Sequence, residues 1–187
     1  MSLNNREPLV MNKVINALLR AYLDILDHDG MKSILDEANM PKIKEQSEKD
    51  PDTYVSFDLL ERILDAQNLL LFRSDLLLFN IGKKFSFYLF PFGKSFEESM
   101  DELTELIKIN WNVEILSHTH DSIKIKVENC ALYNDYNNTF HLFEGFLVRT
   151  LEKTLSTEQH VGYEIIEEEE RDFTVKLQIK NNRKHKK

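Results

Sequence analysis

Several residues in this sequence are chemically capable, and each has a plainer role to weigh against its chemistry. His118 and His120, two apart beside Asp121, are of the types that hold zinc or nickel, since neutral imidazole and carboxylate suit both ions. A structural zinc takes four ligands and the sequence offers no third or fourth at ligand spacing, so the pair reads as a polar turn and no metal is expected. His141 stands among Phe140, Leu142 and Phe143, where a half-buried histidine satisfied by a hydrogen bond is the better account than a ligand. Cys130, the only cysteine, is a candidate for acylation or oxidation, but a buried thiol behaves as a small hydrophobe and packing is the first expectation. Residues 167–170 are four consecutive glutamates; calcium loops space their ligands and include glycine, so this run is expected to be a solvated turn.

Motifs of known catalytic mechanics are missing. With five glycines there is no G-x-G-x-x-G and no glycine-rich run ending in Lys-Ser or Lys-Thr, so no loop cradles a nucleotide phosphate. No serine sits in a G-x-S-x-G turn. The chain is expected not to be an enzyme, and no catalytic residue is assigned. The strongest remaining signal is aromatic: Phe79, Phe85, Phe87, Phe90 and Phe92 fall on one segment, and Phe140, Phe143 and Phe146 on another. Such a set lines a cavity for an acyl chain or another hydrocarbon, or else packs as a core with a dimer interface. Spacing does not separate the two readings.

Charge and hydropathy bound the rest. A formal charge of −8 argues against a nucleic-acid partner, because phosphate neutralisation needs a basic surface. Lys180, Arg183, Lys184, Lys186 and Lys187 make the terminus locally basic, and residues 181–187 are expected to form a flexible tail, able to touch an anionic membrane but more simply solvated. The longest apolar stretch, residues 69–78, is broken by Arg73, Ser74 and Asp75, well short of the roughly 20 residues that cross a bilayer. No signal-peptide pattern opens the chain and one cysteine excludes an internal disulfide, so a soluble protein of the reducing cytoplasm is expected.

These residues must be positioned by an ordered frame. The 42% hydrophobic and 30% charged content over 187 residues predicts a single globular domain with an ordered core over residues 9–180. Apolar residues recur at helical spacing over residues 9–26, ending at Gly30, and again over 31–38, closed by Pro41; a polar loop follows to residue 52. A third helix starts at Ser56 and a fourth, buried on most sides, spans residues 76–90 before Pro91 and Gly93. Ser95 and Glu98 form an S-x-x-E capping box for a fifth. Beyond Trp111 the period changes to two: Val113 and Ile115, then Ile123, Ile125 and Val127, make a hairpin; Phe140, Phe143, Leu147 and Leu151 mark a helix up to Leu155; and two strands follow through Val161 to Ile165 and Phe173 to Ile179. The prediction is an α+β fold, N-terminal helices followed by a ββαββ antiparallel sheet with helices packed on one face.

The succession Phe79-Asn80-Ile81-Gly82-Lys83-Lys84-Phe85, Glu128-Asn129-Cys130-Ala131 and Phe143-Glu144-Gly145-Phe146-Leu147 resembles the superfamily joining vinyl-reductase-like hydrocarbon-binding domains with small subunits of the transport protein particle, TRAPP. The resemblance covers about residues 9–180. It implies a non-catalytic dimerising module that holds an apolar small molecule or acyl chain in an internal cavity, with Phe79, Phe85, Phe143 and Phe146 as candidate lining and Cys130 as a candidate modified thiol. Its alternative is a TRAPP-like scaffold in a membrane-tethering or exchange complex of vesicle trafficking. Homodimerisation, or pairing with a related subunit, follows from either. The same superfamily includes haem-based nitric-oxide sensors, but the Y-x-S-x-R haem-propionate motif is missing, so no cofactor is expected. Cysteines proposed to bind zinc in the vinyl-reductase-like group have no counterpart in residues 140–142 or 168–173.

Overall fold

The computed structural model describes residues 7–90, 92–136 and 139–181. Pro91 and the basic tail beyond Asn181 lie outside these. A strand β1 (Leu9–Met11) leads into a long helix α1 (Asn12–Glu37), whose buried face carries Val14, Leu18 and Tyr22, then Met31, Ile34 and Leu35. The two expected helices are thus halves of one element bent at Asp27, which takes φ 60°. The bend is made by Asp27 rather than by Gly30. A short acceptor side chain tolerates the left-handed region, and its Oδ1 accepts from the N–H groups of Asp29 and Gly30 at 2.9 and 3.1 Å, capping the second half.

The expected polar loop contains a helix, α2 (Ile43–Lys49), which buries Ile43 and Ser47. Ser56 closes a strand, β2 (Tyr54–Ser56), instead of capping a helix; α3 (Asp58–Leu70) begins after Phe57, and α4 (Asp75–Leu89) after Ser74, neither with a side-chain cap. The fifth predicted helix is α5 (Phe96–Leu106). Its capping box forms as expected: Ser95 Oγ accepts from the Glu98 N–H at 3.1 Å, and Glu98 Oε2 accepts from the Ser95 N–H at 2.8 Å.

The remaining elements are β3 (Ile107–Lys108), β4 (Asn112–His118), β5 (Ser122–Glu128), α6 (His141–Glu152), β6 (Gln159–Glu169) and β7 (Asp172–Asn181). β4, β5, β6 and β7 form an antiparallel four-stranded sheet ordered β4-β5-β7-β6, and β1, β2 and β3 form a small second sheet ordered β2-β1-β3 that spacing did not reveal. Ile123, Ile125 and Val127 of β5 stand opposite Leu177, Val175 and Phe173 of β7, all buried, so alternation puts one apolar face toward the helices. The α+β class, with N-terminal helices and then antiparallel sheet covered on one side, is therefore observed. No helix among the described residues is long and apolar enough to cross a membrane.

α6 is the helix between sheet and helical layer, and α4 crosses it at backbone contact. A Cβ on Gly82 would meet the carbonyl oxygen of Leu142 at 1.9 Å, and one on Gly145 that of Phe79 at 2.0 Å. Only glycine allows that approach. Across the same crossing Ser86 Oγ bonds Thr150 Oγ1 at 2.7 Å, and Thr150 in turn donates to the Phe146 carbonyl at 2.8 Å, so Ser86 is the donor to Thr150.

Candidate functional site

Of the four phenylalanines expected to line a cavity, three are fully buried against one another. Phe85 and Phe146 lie 5.0 Å apart between ring centroids, and Phe143 and Phe146 5.8 Å. Phe143 also meets Phe173 of the sheet edge-on at 6.1 Å, and Phe140 meets it at 4.1 Å. These tilted and edge-on contacts are those of a filled core, each ring contributing about 1.5–3 kcal/mol by burial. Phe79 lies apart, at the rim of α4, stacked on Tyr163 of β6 at 5.4 Å. Between cavity and core, the described rings take the core arrangement.

Cys130 is buried just past β5, and burial pushes its thiol up to about 12. A neutral thiol walled in by protein is a poor nucleophile. His118 ends β4 and pairs with Glu97 of α5, while His120 stays exposed in the turn and Asp121 accepts from Thr119 at 2.7 Å. Among the described residues no group of three His, Cys, Asp or Glu is placed to hold a metal. The four glutamates are less a turn than the end of β6: Glu167 to Glu169 pair with Thr174 to Asp172 of β7, and only Glu170, at φ 50°, turns the chain.

His141 opens α6 and sits between two carboxylates. Its Nδ1 donates to Glu144 Oε2 at 2.8 Å, one turn along, and its Nε2 lies 3.6 Å from Asp75 Oδ2 at the start of α4. The hydrogen bond to Glu144 raises its pKa, burial opposes, and the charges of Glu144, Asp75 and Glu168 add to the rise. Glu144 is itself buried, and Tyr163 also bonds to it. Burial, first, and then that carboxylate push the Tyr163 phenol up to about 12. The cluster ties the starts of α4 and α6 to the edge strand, the hydrogen-bonded histidine that the sequence suggested. Its partner Glu144 was missed, although an i,i+3 spacing from a histidine was the available signal.

Two open clefts lie on the surface of the described residues. One, of about 610 Å3, is lined by Tyr133, Asp135, Glu168, Glu170 and Arg171. The other, of about 300 Å3, is lined by Ile25, Asn80, Lys83, Lys84, Phe87 and Arg149. Sequence reasoning missed this second site because Arg149 is far along the chain from Lys83 and Lys84, and only the glycine crossing of α4 and α6 brings them together.

No family model and no curated protein matches the chain. Solved structures do. The chain is similar to an oxygen-binding H-NOX (haem nitric oxide/oxygen binding) domain related to soluble guanylate cyclases, with TM-score 0.60 and 13% identity over 95% of this chain and 100% of that one. It is also similar to a variant of an H-NOX protein from K. algicida in its unliganded Fe(II) form, with TM-score 0.62 and 11% identity over 93% and 98%. A variant of the Tt H-NOX domain gives TM-score 0.58 and 14% identity over 95% and 99%. At these identities the likeness establishes the fold.

It also corrects the resemblance drawn from sequence. The neighbours are H-NOX domains, not vinyl-reductase-like domains or TRAPP subunits, and the apolar-cavity function, the tethering scaffold, lipid binding and vesicle trafficking fall with that assignment. The physical reason lies in the motifs. The segments around Gly82 and Gly145 report a close crossing of two helices, which any fold with that crossing requires, and they carry no information about what the domain binds.

The haem of those neighbours needs an axial ligand facing an apolar space that holds a porphyrin. Among the described residues His28, His118, His120 and His160 are exposed, and His141 is engaged at the rim by Glu144 and Asp75. The Cys130 thiol borders a hollow of only about 30 Å3, room for about one water. Fully buried Tyr22 donates its hydroxyl to Gln67 Oε1 at 2.9 Å. The residues present do not fit a haem.

Proposed function

We propose that this chain is a non-catalytic, haem-free binding module: a domain with the H-NOX fold that meets its ligand at the surface instead of on an internal cofactor. The observation that carries this reading is the packed aromatic interior, in which Phe85, Phe90, Phe96, Phe140, Phe143 and Phe146 are all buried, while the described histidines are exposed or, for His141, paired with carboxylates at the rim. The capable side chains are committed elsewhere: His141 to two carboxylates, Cys130 to the core. A nucleophile beside an activating base, which covalent catalysis needs, is not formed by either. The lone free thiol suits a reducing cytoplasm. Absorbance spectroscopy of the full chain mixed with ferrous haem tests the reading.

Self-association is the second reading, and a specific surface favours it. Leu69, Leu70, Phe72 and Leu76 are exposed at the corner where α3 meets α4, with Leu76 at 73%. Contiguous exposed apolar surface marks an interaction site. Exposed Arg73 and Asp75 flank it with opposite charges, so a two-fold axis through the corner would place each arginine against the other copy's aspartate. Sedimentation equilibrium of the wild type and of Leu76→Lys distinguishes a dimer held by this corner from a monomer.

A further inference from the structure

The smaller cleft is cationic in a chain of net charge −8. Asn80, Lys83, Lys84 and Phe87 follow one another at i, i+3, i+4 and i+7, which places them on one face of α4. Arg149 faces them from α6, and Ile25 of α1 closes the third side. The glycine crossing holds this arrangement, since it fixes α4 and α6 at backbone contact.

Its cations are positioned without being used up. Lys83 Nζ lies 3.0 Å from Glu152 Oε2, and Arg149 Nη1 donates to the same oxygen at 3.4 Å; Lys84 Nζ lies 2.8 Å from Asp24 Oδ2. An ammonium carries three N–H donors and a guanidinium five, so each head group keeps donors for a further acceptor. Lys84 Nζ and Arg149 Cζ both stand about the Phe87 ring, at 6.0 and 5.9 Å from its centroid. Lys153, one turn beyond Arg149, responds to the same field: burial, and then the charge of Arg149, push its ammonium down to about 8. Phe87 keeps 40% of its surface exposed, so part of the ring stays open to solvent beside the cations, while Tyr88 and Phe92 meet it edge-on.

We propose that this cleft binds a small planar oxyanion, its phosphate or carboxylate group gripped by Lys83, Lys84 and Arg149 and its flat organic part lying on Phe87 and Ile25. Charge-assisted hydrogen bonds supply the grip, and the aromatic contact selects flat ligands over simple ions. A volume of about 300 Å3 is at the small end of ligand sites, the size of an aromatic acid or a mononucleotide. The proposal rests on the surface-binding reading for its functional meaning.

Calorimetric titration of the full chain with phenyl phosphate, benzoate and inorganic phosphate, in low and in high salt, tests it. Phenyl phosphate is expected to bind about tenfold tighter than inorganic phosphate, and to weaken in high salt. Benzoate binding tighter than phenyl phosphate identifies a carboxylate as the oxyanion; the reverse identifies a phosphate. Arg149→Ala and Lys84→Gln are each expected to weaken the better probe about tenfold. Phe87→Ala is expected to remove the preference over inorganic phosphate, and Lys176→Ala on the sheet to change nothing. Thermal melts of each variant identify those that fold, and if Arg149→Ala does not, Lys84→Gln carries the test. No binding of any probe, or binding indifferent to these substitutions, overturns the proposal. A haem absorbance band would sink the surface-binding reading and leave this titration to stand, whereas a flat titration would sink the cleft and leave the absence of haem intact.

Discussion

Gly82 of α4 lies directly against the carbonyl oxygen of Leu142 of α6, so closely that a Cβ would stand 1.9 Å from that oxygen. Gly145 of α6 makes the reciprocal contact with the Phe79 carbonyl, at 2.0 Å. Alanine favours a helix over glycine by about 1 kcal/mol, yet here the added methyl must displace backbone. Gly82→Ala and Gly145→Ala are therefore expected to destabilise the chain by about 1–3 kcal/mol, as overpacking does. Urea unfolding checks this, and alanine variants as stable as the wild type would show that the helices do not touch.

The contact between His141 and Glu144 predicts a pH dependence of stability. The imidazolium gains a carboxylate partner on folding, so its folded pKa is raised. Its contribution is complete below the pKa of an unfolded histidine, about 6.5, and is lost as pH rises through the folded value. The stability advantage of the wild type over His141→Asn is therefore expected to be largest near pH 6 and to shrink as pH rises above the unfolded value of about 6.5. Melting curves across this range measure it. An advantage that is constant or grows with pH contradicts the pairing.

Cys130 is expected to be silent toward thiol reagents in the native state. It is buried, and its thiol, pushed up to about 12, holds almost no thiolate near neutral pH. Labelling by a colourimetric disulfide reagent should wait for unfolding and then reach one thiol per chain. Rapid labelling of the folded chain would place Cys130 at an open site.

What the sequence made legible, and what it hid, follows from how local each signal is. The Ser95 and Glu98 capping box and the alternation of Ile123, Ile125 and Val127 act within a few residues, and both elements formed as read. Gly30 drew the helix break three residues too far along because glycine is the commoner breaker, while Asp27 bends the chain with its own side chain. α2 was hidden because seven residues with only Ile43 and Ser47 buried show no period. β1 was hidden because Leu9 and Val10 continue the apolar spacing of α1. The site was less legible than the fold. Phe79, Phe85, Phe143 and Phe146 signal burial, but whether such rings surround a space or fill one depends on contacts between distant segments. Lys83, Lys84 and Arg149 meet only through the α4 and α6 crossing, so no spacing along the chain announces them.

This chain has the H-NOX fold, and its described residues do not fit a haem. The most direct measurement is the visible absorbance of the purified full chain titrated with ferrous haem under anaerobic conditions, followed by gel filtration. No saturable Soret band is expected, and no haem travelling with the protein. One equivalent of haem retained through the column, with a sharp Soret band that shifts on adding nitric oxide or carbon monoxide, would contradict it.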